Sequence, residues 1–329
     1  MPSLWFVVPV HGRLPLALIC LRQLRQTCDA LTADGVDATA VVVADADDLR
    51  ALRHRLDRRL LGFGSVERDN AYLSRRYNDG IQLACDRPLP PRRRDATHGE
   101  YLVAGVRAYR GHQPGVVFAA SLDRGAESRA IYRGDLRLLR RVRPGLRPDS
   151  WQLPDGWDPE RAADYVVPCG SDDWIDHRIL LSLPDQRTVV GFQHIAFVRE
   201  DGREMVARHL AYTGGCGIRI YPRQLLEALT FRPGDEDRQR ACDTSILTNL
   251  RTQHGDRMRV RHVAIDPRQI VDWKSGAQQL NSYSMIAQHR AERSWDDPFA
   301  ALADLFPAQS LRAMRAHYAR AQPPQAVYA

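Results

Sequence analysis

Three short runs of β-favouring apolar residues constrain this 329-residue chain more than any other feature: "LWFVVPV" (Leu4–Val10), "ATAVVVADADD" (Ala38–Asp48) and "YVVPCGSDDW" (Tyr165–Trp174). None alternates between apolar and polar, so each suits a strand covered on both faces, as in a parallel sheet. Each also ends abruptly in polar or acidic residues. Between the first two, "LPLALICLRQLRQTCDAL" (Leu14–Leu31) repeats apolar residues at helical spacing, completing a βαβ unit. A helix over "DLRALRHRLDRRLL", a strand and turn over "GFGSVERDN" and a helix over "AYLSRRYNDGIQLAC" extend the pattern. This order predicts an α/β, Rossmann-like, mostly parallel sheet flanked by helices.

From the proline- and arginine-rich "DRPLPPRRRD" the character changes, and residues 87–161 read as an inserted antiparallel β-rich segment. Its strands are expected in "GEYLVAGVRAYRG", "GVVFAASLDRG" and "SRAIYRGDLRLLRRV". The main domain, residues 1–290, then resumes. "TVVGFQHIAFVREDGREMVARHLAY" predicts two strands joined by the turn "REDGRE". The glycine-rich "TGGCG", helices over "PRQLLEAL" and "DEDRQRACDTSILTNLRTQ", and a strand over "MRVRHVAI" follow. Residues 291–329 read as a helical tail that loosens at "AQPPQAVYA".

The 47 Lys+Arg against 40 Asp+Glu give a formal charge of +7, which favours phosphate, nucleotide or nucleic-acid partners. All the cations are arginine except Lys274, a bias that a high-GC genome explains as well as phosphate binding does. The six cysteines are scattered without CxxC or Cys/His finger spacing, so a reduced, cytoplasmic setting is expected. No apolar run approaches the roughly 20 residues of a membrane-spanning helix, and a soluble protein without a membrane span is expected.

In an open parallel sheet the C-terminal strand ends converge on the ligand crevice. Adjacent Asp172 and Asp173 at such an end would make a hard-oxygen site for Mg2+ or Mn2+ together with substrate phosphates. The competing reading makes them caps of a helix beginning near Trp174.

In order and spacing, "VVPVHGR", "VVVADADD", "RRYNDGIQLA" and "YVVPCGSDDW" resemble the GT-A glycosyltransferases, particularly the inverting type that uses nucleotide-sugar donors. The resemblance covers most of the chain outside the insertion and the tail. It implies that Pro9, His11, Arg13 and Asp45 hold the nucleoside, that Arg76, Asn78 and Gly80 lie beside the donor, and that Asp172 and Asp173 occupy the metal-binding Asp-x-Asp region. The first acid of that motif is here Gly170, which leaves open which aspartate takes Mn2+ or Mg2+ and which faces ribose or water.

By the same resemblance, Gly214, Gly215 and Gly217 of "GGCG" form an acceptor loop, with a simple turn as the alternative. Asp243 is the base that deprotonates the acceptor hydroxyl, with Glu236 and Asp237 as competitors. His262 is a further metal ligand, against an ordinary structural role for a strand histidine, and Lys274 contacts the donor diphosphate. The run "VVPCGSDDW … GGCG … CDTSI … DWKSG" is also similar to glycosyltransferases of actinobacterial phages. That implies a hydroxymethylated base of phage DNA as one acceptor, beside glycan, protein or small-molecule acceptors. The arginine-rich segments would then line a DNA path, or simply be a solvated surface. Two other readings of the same residues are a nucleotidyltransferase, for which "VPVHGRLPLA" is a poor phosphate loop, and a non-catalytic DNA-binding protein on the same fold.

Overall fold

The computed structural model describes residues 1–45, scattered positions between 48 and 85, strands 106–110, 116–121 and 150–152, then 163–209, 217–227, 229, 242–274, 283 and 292–321. Asn78, Gly214, Gly215, Glu236, Asp237 and the arginine-rich segments fall outside them, as does the strand expected in "SRAIYRGDLRLLRRV".

The first apolar run becomes β1 (Ser3–Pro9), buried along its whole length. A two-residue left-handed step, Gly12 at φ 58° and Arg13 at φ 47°, turns the chain into α1 (Leu14–Ala33). Proline in its first turn suits a position where no intrahelical N–H bond is needed. The helix then presents two apolar stripes. Ala17, Leu21, Leu24, Cys28 and Leu31 pack on the sheet begun by β1, whereas Leu16 and Cys20 face a second core. One helix therefore serves two layers.

β2 (Asp37–Asp45) and β3 (Leu60–Ser65) pair in parallel beside β1. Arg76, Tyr77, Gly80, Ile81, Ala84 and Cys85 are helical, with Ile81, Ala84 and Cys85 packed against Trp5, Val7, Val41 and Val43. In the expected insertion, β4 (Val106–Arg110), β5 (Val116–Ser121) and β6 (Ser150–Gln152) form a separate antiparallel sheet.

The chain returns as β7 (Tyr165–Pro168), parallel to β1 on the side away from β2. β8 (Asp173–Ile175) follows after a tight turn. It is a strand, so Asp172 and Asp173 cap no helix at Trp174. The cap in this region is Asp176, which accepts from Arg178 N at the start of a short 3-10 turn.

The two strands expected over residues 188–212 are three: β9 (Thr188–Phe192), β10 (His194–Val198) and β11 (Met205–His209). At Gln193, whose N–H bonds to Val263 O, the chain leaves one sheet and enters the other. The expected turn does join β10 to β11. Gly202 takes φ 70° there, and Arg199 bonds Asp201 at 2.7 Å and Glu204 at 2.8 Å.

β12 (Arg219–Pro222), α2 (Arg223–Glu227), α3 (Cys242–His254), β13 (Arg259–Val263) and β14 (Ile270–Trp273) come next. The tail opens with β15 (Arg293–Trp295), an added strand on β11, before α4 (Pro298–Ala301) and α5 (Ala308–Ala321).

The large sheet has the order β13-β9-β12-β7-β1-β2-β3, and only β12 runs against the others. The second has the order β15-β11-β10-β14-β8. The architecture is α/β, with one mostly parallel sheet in a Rossmann-like layout. Among the described residues no helix is long and apolar enough to cross a membrane.

Candidate functional site

The site forms where the chain crosses from the large sheet to the second one. Cys169 continues the ladder with a bond from its N–H to Val7 O, and the chain then reverses within four residues. Asp173 N donates to Gly170 O at 3.3 Å, while Gly170 N donates back to Asp173 Oδ2 at 2.5 Å. A side chain at position 170 would meet both acids: its Cβ would lie 2.6 Å from Asp172 Oδ1 and 2.9 Å from Asp173 Oδ2. The glycine that departs from Asp-x-Asp is therefore what lets the next two carboxylates fold inward.

β8 pairs antiparallel with β14, with Asp173 directly opposite Asp272. Asp172 O accepts from Trp273 N at 3.0 Å. Ligand oxygens of Asp172, Asp173 and Asp272 consequently lie within 4.8 Å of one another. Alternation along β14 sends Val271 and Trp273 into the apolar core with Trp174, and Asp272 to the opposite face.

Among the described residues, two cations border the triad. Arg13 Nη1 meets Asp172 Oδ2 at 2.8 Å, and Lys274 Nζ meets Asp272 Oδ2 at 2.5 Å. Lys274 is buried, its backbone N–H bonds to Val198 O, and its carbonyl accepts from Tyr318 OH at 2.6 Å.

Burial raises Asp173 well above the ordinary carboxylate range, with further elevation from Asp272 and Asp172. Burial also lifts Asp272, to about 6, against the opposing effect of Lys274. For Lys274 burial works downward, but Asp272, Asp172 and Asp173 outweigh it and the pKa is raised. Asp272 Oδ1 is buried and has no hydrogen-bond partner among the described residues.

The β1–α1 loop lies at the same edge. Val10 N bonds to Val43 O, and Gly12 N donates to Asp48 Oδ2 at 2.9 Å. Buried Arg76 donates to Val10 O and approaches His11 Nδ1 at 3.3 Å, so this side chain shapes the loop. Pro9 ends β1 and Asp45 ends β2 on that edge. Gly80 sits deeper: a Cβ there would fall on Val7 Cγ1, so the glycine lets its helix lie close to the sheet.

Asp243 is in the first turn of α3. That helix packs through Ile246, Leu247 and Leu250 on the sheet face opposite α1. Gly217 is exposed just ahead of β12. His262 is exposed on β13, at the far edge of the large sheet and outside the triad. Partial desolvation by its neighbours on the sheet, with the charges of Arg219 and Arg251, lowers its pKa.

Of the expected metal ligands, Asp172 and Asp173 come together, and the third member of the cluster is Asp272 instead of His262. Asp272 was missed by sequence reasoning, although "IVDWKS" carries a signal. Strict alternation through Ile270, Asp272 and Lys274 puts the acid on the same strand face as the single lysine.

No protein-family model matches the chain, and the curated proteins contain no match to it.

Proposed function

We propose that this protein is a metal-assisted glycosyltransferase that moves a sugar, with inversion, from a nucleoside-diphosphate donor to a hydroxyl acceptor. The observation that carries the reading is the three-carboxylate cluster at the C-terminal edge of the parallel strands, beside the loop after β1. The mostly parallel order β3-β2-β1-β7-β12-β9-β13, Rossmann-like in layout, with a second sheet entered through the acidic turn, supports the reading. Ligands of open α/β sheets bind at this edge.

The cluster fits a divalent ion. Its donors are hard oxygens, and buried, unpartnered Asp272 Oδ1 is an acceptor that an ion would satisfy. Asp172, Asp173 and Asp272 would hold Mn2+ or Mg2+. Bound there, such an ion supplies positive charge for a departing diphosphate.

The chain's own residues do the remainder. Arg13 and Lys274 add positive charge on the same side. The loop held by Arg76 and Asp48, with Asp45 beyond it, borders the space for the nucleoside. Asp243 is the base assigned to the acceptor proton.

The test is incubation of purified protein with UDP-, GDP- and dTDP-sugars and Mn2+, following released nucleoside diphosphate. Slow hydrolysis of one donor, abolished by chelation and by Asp173→Asn, is expected. No hydrolysis with any donor, together with no calorimetric binding of nucleoside diphosphates, overturns the reading.

A further inference from the structure

Arg13 belongs to the acid cluster as much as to the loop that carries it. Its left-handed backbone at the head of α1 directs the guanidinium to Asp172, and its side chain remains a quarter exposed. Lys274, by contrast, is 5% exposed and fixed on Asp272 Oδ2. Asp272 has its other oxygen buried and unpartnered, so it can meet an ion through Oδ1 without releasing the lysine. Asp172 differs, because its Oδ2 is engaged by a cation at the mouth of the site.

Among the described residues three carboxylates face two cations, so much of the cluster's negative charge is already offset. A free divalent ion therefore meets little net attraction and must compete with Arg13 for Asp172. A diphosphate changes that balance, because it brings several negative charges and oxygens in the geometry a guanidinium binds best.

We propose that Arg13 is an exchangeable counter-ion: it occupies Asp172 until a divalent ion arrives with a diphosphate, then transfers to the diphosphate as the ion takes Asp172. The inference rests on the reading of the cluster as a metal and diphosphate site. Its consequence is thermodynamic coupling, in which ion and diphosphate each raise the other's affinity by the same factor.

The exchange predicts opposite changes from one substitution. Calorimetry at pH 8 would use Mn2+ alone and preformed Mn2+·pyrophosphate, with the full-length chain. The wild type should bind Mn2+·pyrophosphate at least about tenfold more tightly than Mn2+ alone. Arg13→Gln should bind Mn2+ alone about tenfold more tightly than wild type, the order expected for removing one nearby like charge. It should bind Mn2+·pyrophosphate about tenfold more weakly. Arg13→Lys, which keeps the charge but loses the guanidinium fork, should return the affinity for Mn2+ alone to within about threefold of wild type and recover that for Mn2+·pyrophosphate only in part.

A second variant approaches from the other side. Asp172→Asn removes the carboxylate that engages the guanidinium and should strengthen metal-free pyrophosphate binding severalfold. If Arg13→Gln shifts both affinities in the same direction or neither, or Asp172→Asn leaves pyrophosphate binding unchanged, the exchange is overturned. Asp173→Asn separates this failure from that of the underlying reading. If wild type binds Mn2+·pyrophosphate and Asp173→Asn does not, the metal site stands and only the exchange falls. If wild type binds neither probe at millimolar concentration, both fall.

Discussion

Position 170 has no room for a side chain while Asp172 and Asp173 keep their present orientation, since a Cβ would lie 2.6 Å and 2.9 Å from their oxygens. By sequence, Gly170→Asp looks like restoration of an Asp-x-Asp motif; by geometry it displaces the carboxylates that already converge. We expect Gly170→Asp and the smaller Gly170→Ala both to weaken Mn2+ binding by at least about tenfold in calorimetry, as displacement of two of three ligands requires. Tighter binding by Gly170→Asp would refute the argument. The raised acids make a second prediction at this scale. A carboxyl whose folded pKa lies above its unfolded value of about 4 retains a proton that the unfolded chain has lost, so stability falls as pH rises through that interval. For Asp272, raised to about 6, the fall between pH 4 and 6 is worth roughly 3 kcal/mol, and raised Asp173 adds to it in the same direction. Asp266, held low chiefly by its bond to Arg268, acts with the opposite sign and at lower pH. Denaturant melts from pH 4.5 to 7 should therefore show a smaller loss in Asp173→Asn than in wild type, and a smaller loss in wild type when Mn2+ is present. Parallel wild-type and Asp173→Asn curves would contradict the shift.

Among the elements, β1, β2, β7 and α1 were readable because burial leaves a compositional mark: continuous apolar runs in the strands and a 3.6-residue period in the helix. β8 left no such mark. It is three residues long, one of them acidic, and exists through pairing with β14 almost a hundred positions later. The break between β9 and β10 is equally silent locally, because "TVVGFQHIAFV" is apolar on both sides of Gln193 and the change of sheet is a tertiary choice. That is also why Asp272 escaped notice while its partner Lys274 was seen. One stands out by composition, whereas the other matters only once β14 lies against β8. Gly80, placed beside the donor by the resemblance, also lets its helix lie close to the sheet. Gly80→Ala should destabilise the fold by about 1 to 3 kcal/mol through overpacking. Val7→Ala in the same chain should recover part of that loss, since the obstructing atom is Val7 Cγ1. Thermal denaturation of the two single variants and the pair checks this. Strict additivity would show that the two sites do not touch.

At the scale of the molecule, the two sheets are held in one arrangement by elements that touch both, and the acid cluster sits at their junction. α1 packs on the large sheet and, through Leu16 and Cys20, on the second core. The C-terminal segment closes that core from the other side. Phe299, Leu302, Phe306, Leu311, Met314 and Tyr318 are all buried, Trp174 and Trp273 lie among them, and Ser310 bonds Gln26 of α1 at 2.9 Å. Burial of a large apolar side chain contributes about 1.5 to 3 kcal/mol, so six of them contribute a gross amount comparable with the net 5 to 15 kcal/mol that normally holds a domain folded. Trp174 follows Asp173 and Trp273 follows Asp272, with the indole centroids 4.9 Å apart. The ring pair thus fixes the backbone from which two of the three acids project. A chain ending after residue 296 should accordingly lose the site along with its stability. We expect a large fall in melting temperature, a red shift of tryptophan emission as the indoles meet water, and loss of Mn2+·pyrophosphate binding. Tyr318→Phe should separate the two contributions. It retains the ring in the core and removes only the bond to Lys274 O, a loss of about 1 kcal/mol. A truncated chain that melts and binds like the full one would show that the C-terminal helices stand apart from the fold that builds the site.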